Sequence, residues 1–267
     1  MDFNGPRVLG KTGLKVGRLG VAASFDAPAY AFEDAFAHGC NYFYWGSMRK
    51  SGMREAMANL CGRGLRDKLV VLIQSYSRSP KLMELFFNRA LNDSGLEYAD
   101  ILLLGWHNKK PSPKILEKAL QMKEDGHFRF LAVSGHNRSL FPQLASESIF
   151  DIFHIRYNAA HRGAEKEVWP KLPQTNRPGI VTYTATRWKD LMNPKKMPPG
   201  QPPLSAGDCY RFVLSNPAVD VGMCGPANSA QMHEALEALK KGPLSPAEMQ
   251  RVRAIGDYVH ENAGRFW

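Results

Sequence analysis

Four side chains able to move a proton or hold an anion stand at or just beyond the ends of short apolar runs: Tyr44, Arg49, Tyr76 and His107. Tyr44 and Arg49 sit in the stretch "NYFYWGSMRKSG", residues 41–52, where a strand-like run breaks at Gly46 into a basic, glycine-punctuated turn. A phenol beside an imidazole and a guanidinium can donate a proton to a developing oxyanion or hold that anion in place. Successive strand residues face opposite sides, so Tyr76 takes the facing of Gln74 and His107 that of Gly105. With Tyr44 in the neighbouring run and Arg49 in the turn after it, the four groups are placed where they could converge on one mouth. The plainer reading is that Tyr44 and Tyr76 fill space there and that His107 is an ordinary loop residue.

Elements that would position these groups follow a rhythm. Eight apolar runs of strand length cover 19–24, 41–46, 69–76, 100–107, 128–136, 151–158, 179–186 and 219–225. Amphipathic stretches separate them, at 28–38, 51–60, 79–96, 112–125, 139–146, 164–172, 206–214 and 229–239, and a last one spans 245–262. Three open on Ser-Pro, a good N-cap and first-turn pair. The stretch 79–96 places Leu82, Leu85, Phe86 and Ala90 on one face. Strand–helix alternation argues for an α/β protein with a parallel sheet, and eight units in about 220 residues fit a closed (β/α)8 TIM barrel. An open doubly wound sheet is the alternative, but the early GxGxxG that supports it is absent. Residues 7–18 read as an N-terminal β-hairpin capping one end of the barrel, around Lys11-Thr12-Gly13. "NPKKMPPGQPPL" (193–204), with five prolines, reads as an extended loop over the C-terminal rim. No linker divides the chain, so residues 1–267 are expected to form a single domain.

The totals bound the function classes. Hydrophobic residues make up 44% and charged residues 22%, ordinary for a globular protein. There is no apolar run of membrane-spanning length and no apolar segment near Met1, so a cytoplasmic protein without a membrane span is expected. Cys40, Cys61, Cys209 and Cys224 lie far apart with no CxxC pair, which reads as reduced thiols rather than a metal or disulfide set. A net charge of +10 suits an anionic ligand. Basic and aromatic residues do not interleave in a nucleic-acid motif, so no nucleic-acid partner is expected. The expected ligand is a small molecule at the C-terminal face.

Seven segments in order along the chain carry a resemblance: "LGKTGLKVGRLG", "HGCNYFYWG", "YADILLLGWHN", "FRFLAVSGH", "FHIRYN", "GIVTYT" and "CGPANSAQMHEAL". Together they resemble the aldo-keto reductases. The resemblance implies a (β/α)8 barrel that binds NADP in an extended pose across its C-terminal face and transfers hydride to a carbonyl. It also implies a tetrad of aspartate, acid tyrosine, lysine and histidine. This chain has Tyr44, Arg49, Gln74 and Gly105 at those four positions. Loss of a general acid typically costs about 10²–10⁴-fold in rate, so standard carbonyl reduction is expected to be weak or absent. A rebuilt set of Tyr44, Arg49, Tyr76 and His107 is the enzymatic alternative to a non-catalytic barrel that binds a small molecule or a protein partner.

The cofactor residues that the resemblance implies are partly present. Ser134 keeps its place, Gly135 stands where an asparagine is expected, and Asn137 is a loose substitute. His154 takes the place of a glutamine. Tyr183 matches the ring that stacks on nicotinamide. Asn228 and Ser229 stand at the helix start that would meet a 2'-phosphate, without the family's lysine and later arginine, and Arg187 is placed to meet a pyrophosphate. The family's long C-terminal loop is expected to be absent, no cysteine follows Cys224 in the sequence to hold an iron–sulfur segment, and Trp267 is expected to pack back on the barrel.

Overall fold

The structure is a computed structural model that describes residues 2–262; Trp267 lies outside them. It opens with two short antiparallel strands, β1 (Arg7–Val8) and β2 (Lys15–Val16), paired Arg7 to Val16 and Val8 to Lys15. Then come β3 (Leu19–Ala22), α1 (Ala29–Ala37), β4 (Tyr42–Trp45), α2 (Ser51–Gly62), β5 (Val70–Ser75), α3 (Pro80–Ser94), β6 (Ala99–Leu104) and α4 (Pro113–Glu124). The second half holds β7 (Phe128–Gly135), α5 (Leu140–Ser146), β8 (Ile152–Arg156), α6 (Ala164–Glu167), β9 (Gly179–Tyr183), α7 (Ala206–Leu214), β10 (Val221–Cys224), α8 (Ser229–Lys241) and α9 (Pro246–Glu261). Strands β3 to β10 pair in parallel with their sequence neighbours, and β10 closes on β3. All eight expected strands are there, in the expected closed (β/α)8 barrel.

Alternation along the strands divides the apolar residues between two cores. Leu72, Ile101, Leu103, Ala132, Ile152, Val181 and Val221 fill the barrel interior. Phe43, Val71, Ile73, Leu102, Leu131, Phe153 and Ile180 face outward and meet the helices. Leu9 and Val16, from the hairpin, are fully buried in the inner core and plug its N-terminal end.

Three aspartates bind that end together. Asp100, Asp151 and Asp220 stand at or just before the starts of β6, β8 and β10. Each accepts a main-chain N–H from the preceding strand: Val71 at 2.8 Å, Leu131 at 2.9 Å and Ile180 at 2.8 Å. Each is also paired with two cations, Arg66 and Arg129, Lys11 and Lys123, and Arg7 and Arg177 respectively. Asp220 is fully buried. Beside it Arg18 donates to the carbonyls of Leu214, Val219 and Asp220, and burial brings its pKa down to about 10.

Three local expectations differ from the structure. Helix α3 buries Met83, Phe87, Ala90, Leu91 and Ser94, and it leaves Leu82, Leu85 and Phe86 exposed. Both stripes are apolar, so periodicity alone does not choose between them; the adjoining strands do. The stretch 164–172 is not one helix, because α6 ends at Glu167 and a 3-10 turn, Trp169–Lys171, follows with Pro170 in it. The proline-rich loop is not uniformly extended. It follows one 3-10 turn at Asp190–Met192, contains another at Pro194–Lys196, and buries Met197 and Leu204.

Among the described residues no helix is long and apolar enough to cross a membrane, and no three His, Cys, Asp or Glu side chains are grouped to hold a metal. Replacing Asp220 by asparagine removes a buried charge that answers two arginines. In urea denaturation the D220N variant is expected to lose at least about 2 kcal/mol of stability; a loss below about 0.5 kcal/mol would show that the carboxylate does not clamp the strands.

Candidate active site

At the C-terminal face the inward strand positions become polar. Tyr44 of β4 donates its hydroxyl hydrogen to Oε1 of Gln74 on β5. Beside them lies Gly105, just past β6: a Cβ there would stand 2.4 Å from Gln74 Nε2 and 2.7 Å from the Tyr76 ring. The room that Gly105 leaves is therefore taken by Gln74 and Tyr76. Burial raises the Tyr44 pKa well above the ordinary tyrosine value, and neighbouring Tyr76 and Tyr183 raise it further. No cation contributes to lowering it. The Tyr44 proton is thus held tightly and directed at an amide.

Below this layer His154 is fully buried, with its Nε2 2.8 Å from the Tyr42 hydroxyl. Burial drives its pKa down to about 3, so the ring is neutral. Tyr183, half-buried, donates to the Gly135 carbonyl at 3.2 Å and its ring lies 6.3 Å from that of His136; the Trp106 ring lies 5.8 Å from that of His136.

Two of the four expected proton-handling groups, Tyr44 and Tyr76, meet at the mouth. The other two do not join them. Burial lowers the Arg49 pKa, the charges that act on it are Asp93 and Arg89 of α3 rather than any mouth group, and its Nε is buried without a partner among the described residues. His107 does not inherit the facing of Gly105, because β6 ends at Leu104 and Trp106 takes a left-handed φ of 54°. The chain then turns toward β7, where the His107 N–H donates to the Ser134 carbonyl at 2.6 Å. Its ring is buried, its Nε2 has no partner among the described residues, and burial with nearby Arg78 lowers its pKa to about 4.

Each residue expected at a cofactor has a partner within the protein. Ser134 Oγ accepts the Trp106 N–H at 3.0 Å, and Arg187 pairs with Asp190 at 3.2 Å. Asn228 caps α8 by accepting the Gln231 N–H at 2.9 Å, and Ser229 accepts the Tyr30 hydroxyl at 3.0 Å. Asn137 does not substitute for an amide ligand, because it is tied to Asn108 and Ser139. Gly135 cannot be an asparagine without rearrangement, since the His107 carbonyl oxygen sits 2.0 Å from where its Cβ would be. The nicotinamide end of the family's cofactor set therefore does not fit here: its serine is occupied, its asparagine is sterically excluded and its glutamine is a buried histidine. The Tyr183 ring, Arg187 and the start of α8 remain as partial elements of such a site.

Two residues that sequence reasoning missed shape the rim. Arg78 donates to the carbonyls of Tyr76, Gly105 and Trp106, tying the loops after β5 and β6 together. Arg156 ends β8 opposite Tyr183, and it was signalled by its spacing of two from His154. Phe25, Tyr30, Met48, Tyr76, Trp106 and Trp188, all exposed, stand on this same face. A separate cleft of about 280 Å³ lies at the barrel's other end, between Phe3, Arg18, Phe36 and Leu239, away from these groups.

No family model and no curated protein matches the sequence. Among solved structures, the apo form of an aldo-keto reductase, AKR11C1 of Bacillus halodurans, superposes with a TM-score of 0.76 at 17% identity, covering 94% of this chain and 95% of that one. Its holo form gives 0.75 at 17%, covering 94% and 96%. The chain has the aldo-keto reductase fold. At that identity the likeness carries the barrel and its strand order, and the site must be read from this chain's own residues.

Neutral, buried histidines make the fold acid-sensitive. A group whose folded pKa is depressed below 6.5 charges first in the unfolded state, so stability is intact above about pH 6.5 and falls as the pH drops toward the folded value. For fully buried His154 the loss at about pH 5 is on the order of 2 kcal/mol. Wild type is expected to lose about that much more than His154→Gln between about pH 7.5 and 5 in denaturant titrations; equal losses would contradict the buried, neutral ring.

Proposed function

We propose that the C-terminal face of this barrel is a ligand site of aldo-keto reductase ancestry, and that hydride transfer to a carbonyl by the family's usual route is slow or absent there. The observation that carries this reading is the Tyr44–Gln74 hydrogen bond. A phenol that must protonate or stabilise an alkoxide needs its proton free and its pKa brought down by a cation. Tyr44 has its proton engaged by an amide, and burial shifts its pKa the other way.

A nicotinamide nucleotide, NADP in particular, is the first ligand to consider. The aldo-keto reductase that this fold matches has a holo form. Here Arg187 and the N-terminus of α8 would meet the phosphates of such a nucleotide and the Tyr183 ring would lie beside it, while its nicotinamide end finds no fitting set of partners. The chain's own residues would only orient it, since burial and the nearby Arg78 charge keep His107 neutral and leave it no imidazolium proton to donate. Tyr76, half exposed, is the phenol best placed to reach a ligand. A second reading, a non-catalytic barrel that binds another small molecule or a protein partner, is favoured by the poor fit of the nicotinamide end and by the ring of exposed aromatic residues around the mouth.

Titration with NADPH and NADP, followed by quenching of tryptophan fluorescence, tests the site. Trp106 and Trp188 stand exposed on this face. Quenching that saturates by about 1 mM, with aldehyde turnover at least about 100-fold below that of an enzyme with a full acid, is the expected result. Absence of quenching at that concentration would remove the nicotinamide reading. Efficient aldehyde reduction abolished by Tyr44→Phe would overturn the claim that chemistry is weak.

A further inference from the structure

At one side of the mouth positive charge collects without enough carboxylate to answer it. Arg156 is the last residue of β8, two residues from buried His154 and paired in register with Tyr183 of β9. Its side chain is half-buried, and its Nε is fully buried with no hydrogen-bond partner. Among the described residues it forms no ion pair. Around it stand Arg138 from the loop after β7, His161 from the loop after β8 and Arg187 from the loop after β9; the charges of Arg138 and Arg187 act on Arg156 and on His161 alike. The His260 ring of α9 packs 5.6 Å from that of His161.

The nearby carboxylates are already engaged. Glu167 pairs with Arg138 at 2.8 Å, and Asp190 pairs with Arg187 at 3.2 Å and with Lys196 at 2.6 Å. Arg187 is also held by its backbone: Arg187, Trp188 and Lys189 take left-handed φ values of 50°, 56° and 70° in succession. Non-glycine residues rarely adopt that region, and three together persist only where the surroundings impose them. The turn seats Arg187 in the interior, where its guanidinium donates to the Val259 carbonyl of α9 at 3.4 Å. Buried cations are ordinarily paired. Here three arginines share two carboxylates, one of which also serves a lysine, and the unpaired guanidinium is the one at the inward position of a barrel strand.

We propose that Arg156, backed by Arg138, Arg187 and His161, forms an oxyanion site at the barrel mouth for the carboxylate or phosphate of a small organic molecule. A guanidinium offers a planar fork to such groups, and the ring of Tyr183, its register partner, followed in turn by the His136 and Trp106 rings, offers a surface for the ligand's body. The site shares Arg187 and Tyr183 with the residues assigned to the nicotinamide cofactor, but Arg156, Arg138 and His161 lie outside them, so anion binding without nucleotide separates the two readings.

The test uses the whole chain without nucleotide. Inorganic phosphate and benzoate, each at ionic strength matched with sodium chloride, are titrated while the thermal midpoint and tryptophan fluorescence are followed. Both probes are expected to raise the midpoint saturably. Arg156→Met should weaken binding by about tenfold or more, and Arg156→Lys less than that, as for loss of one charge-assisted hydrogen bond. Lys109→Met, a change in an exposed lysine of the loop after β6, should leave binding unchanged. A phosphate response without a benzoate response assigns the site to phosphate groups, and the reverse assigns it to carboxylates. If neither probe differs from chloride, or if both arginine variants bind as wild type does, the proposal fails. Should Arg156→Met not fold, the wild-type response together with Arg156→Lys decides. Probe binding without any NADPH binding would leave this site standing while removing the nicotinamide reading.

Discussion

Every side chain at the mouth owes its place to strand register, and register is held at the opposite end of the barrel. Parallel strands have no hairpins to fix their offsets, so something must lock neighbours at their starts. Asp100, Asp151 and Asp220 do this for β5–β6, β7–β8 and β9–β10, each binding the preceding strand's main chain and two cations. A slip of one residue would turn Tyr44, Gln74, Ser134, His154, Arg156 and Tyr183 out of the mouth and into the helical layer. The hairpin residues Leu9 and Val16 plug the interior beneath them, so the polar layer rests on a packed floor.

On that floor the mouth has been built around neutral groups. Gln74 answers Tyr44, Tyr42 meets His154, and the space beside Gly105 is occupied by Gln74 and the Tyr76 ring. Burial then acts in one direction throughout: it keeps phenols protonated and imidazoles uncharged. Charge is displaced to the rim, where Arg156, Arg138 and Arg187 stand together. A centre without charge and a cationic edge suit holding an anion better than stabilising an alkoxide at Tyr44.

Much of this was legible in the sequence. Eight apolar runs with helical stretches between them gave the barrel, because strand and helix periods differ and both repeated cleanly. The mouth positions at 44, 74 and 105 followed from the resemblance to the aldo-keto reductases, whose tetrad places they occupy. What escaped had particular causes. Alternation carried Tyr76 correctly but failed for His107, since one left-handed residue, Trp106, ended the strand's periodicity. Arg49 stood near the mouth in sequence, yet the charges that act on it are those of α3. Gly135 read as a lost ligand, whereas its smallness is required by the approach of the His107 carbonyl. The exposed stripe of α3 was hidden because that helix is apolar on two faces. Arg156 was in plain view two residues from His154, but its significance depends on lacking a partner, which only the folded arrangement reveals.

The charge state of Tyr44 decides between a worn catalytic mouth and a working one. Ultraviolet difference spectroscopy of tyrosinate formation, on wild type and Tyr44→Phe across about pH 6–11, reads it directly. The structure predicts no tyrosinate attributable to Tyr44 below about pH 10, so the two proteins should give superimposable curves through the neutral range. A tyrosine that ionises near neutral pH in wild type and vanishes in Tyr44→Phe would mean that a cation tunes this phenol after all, and would contradict the account.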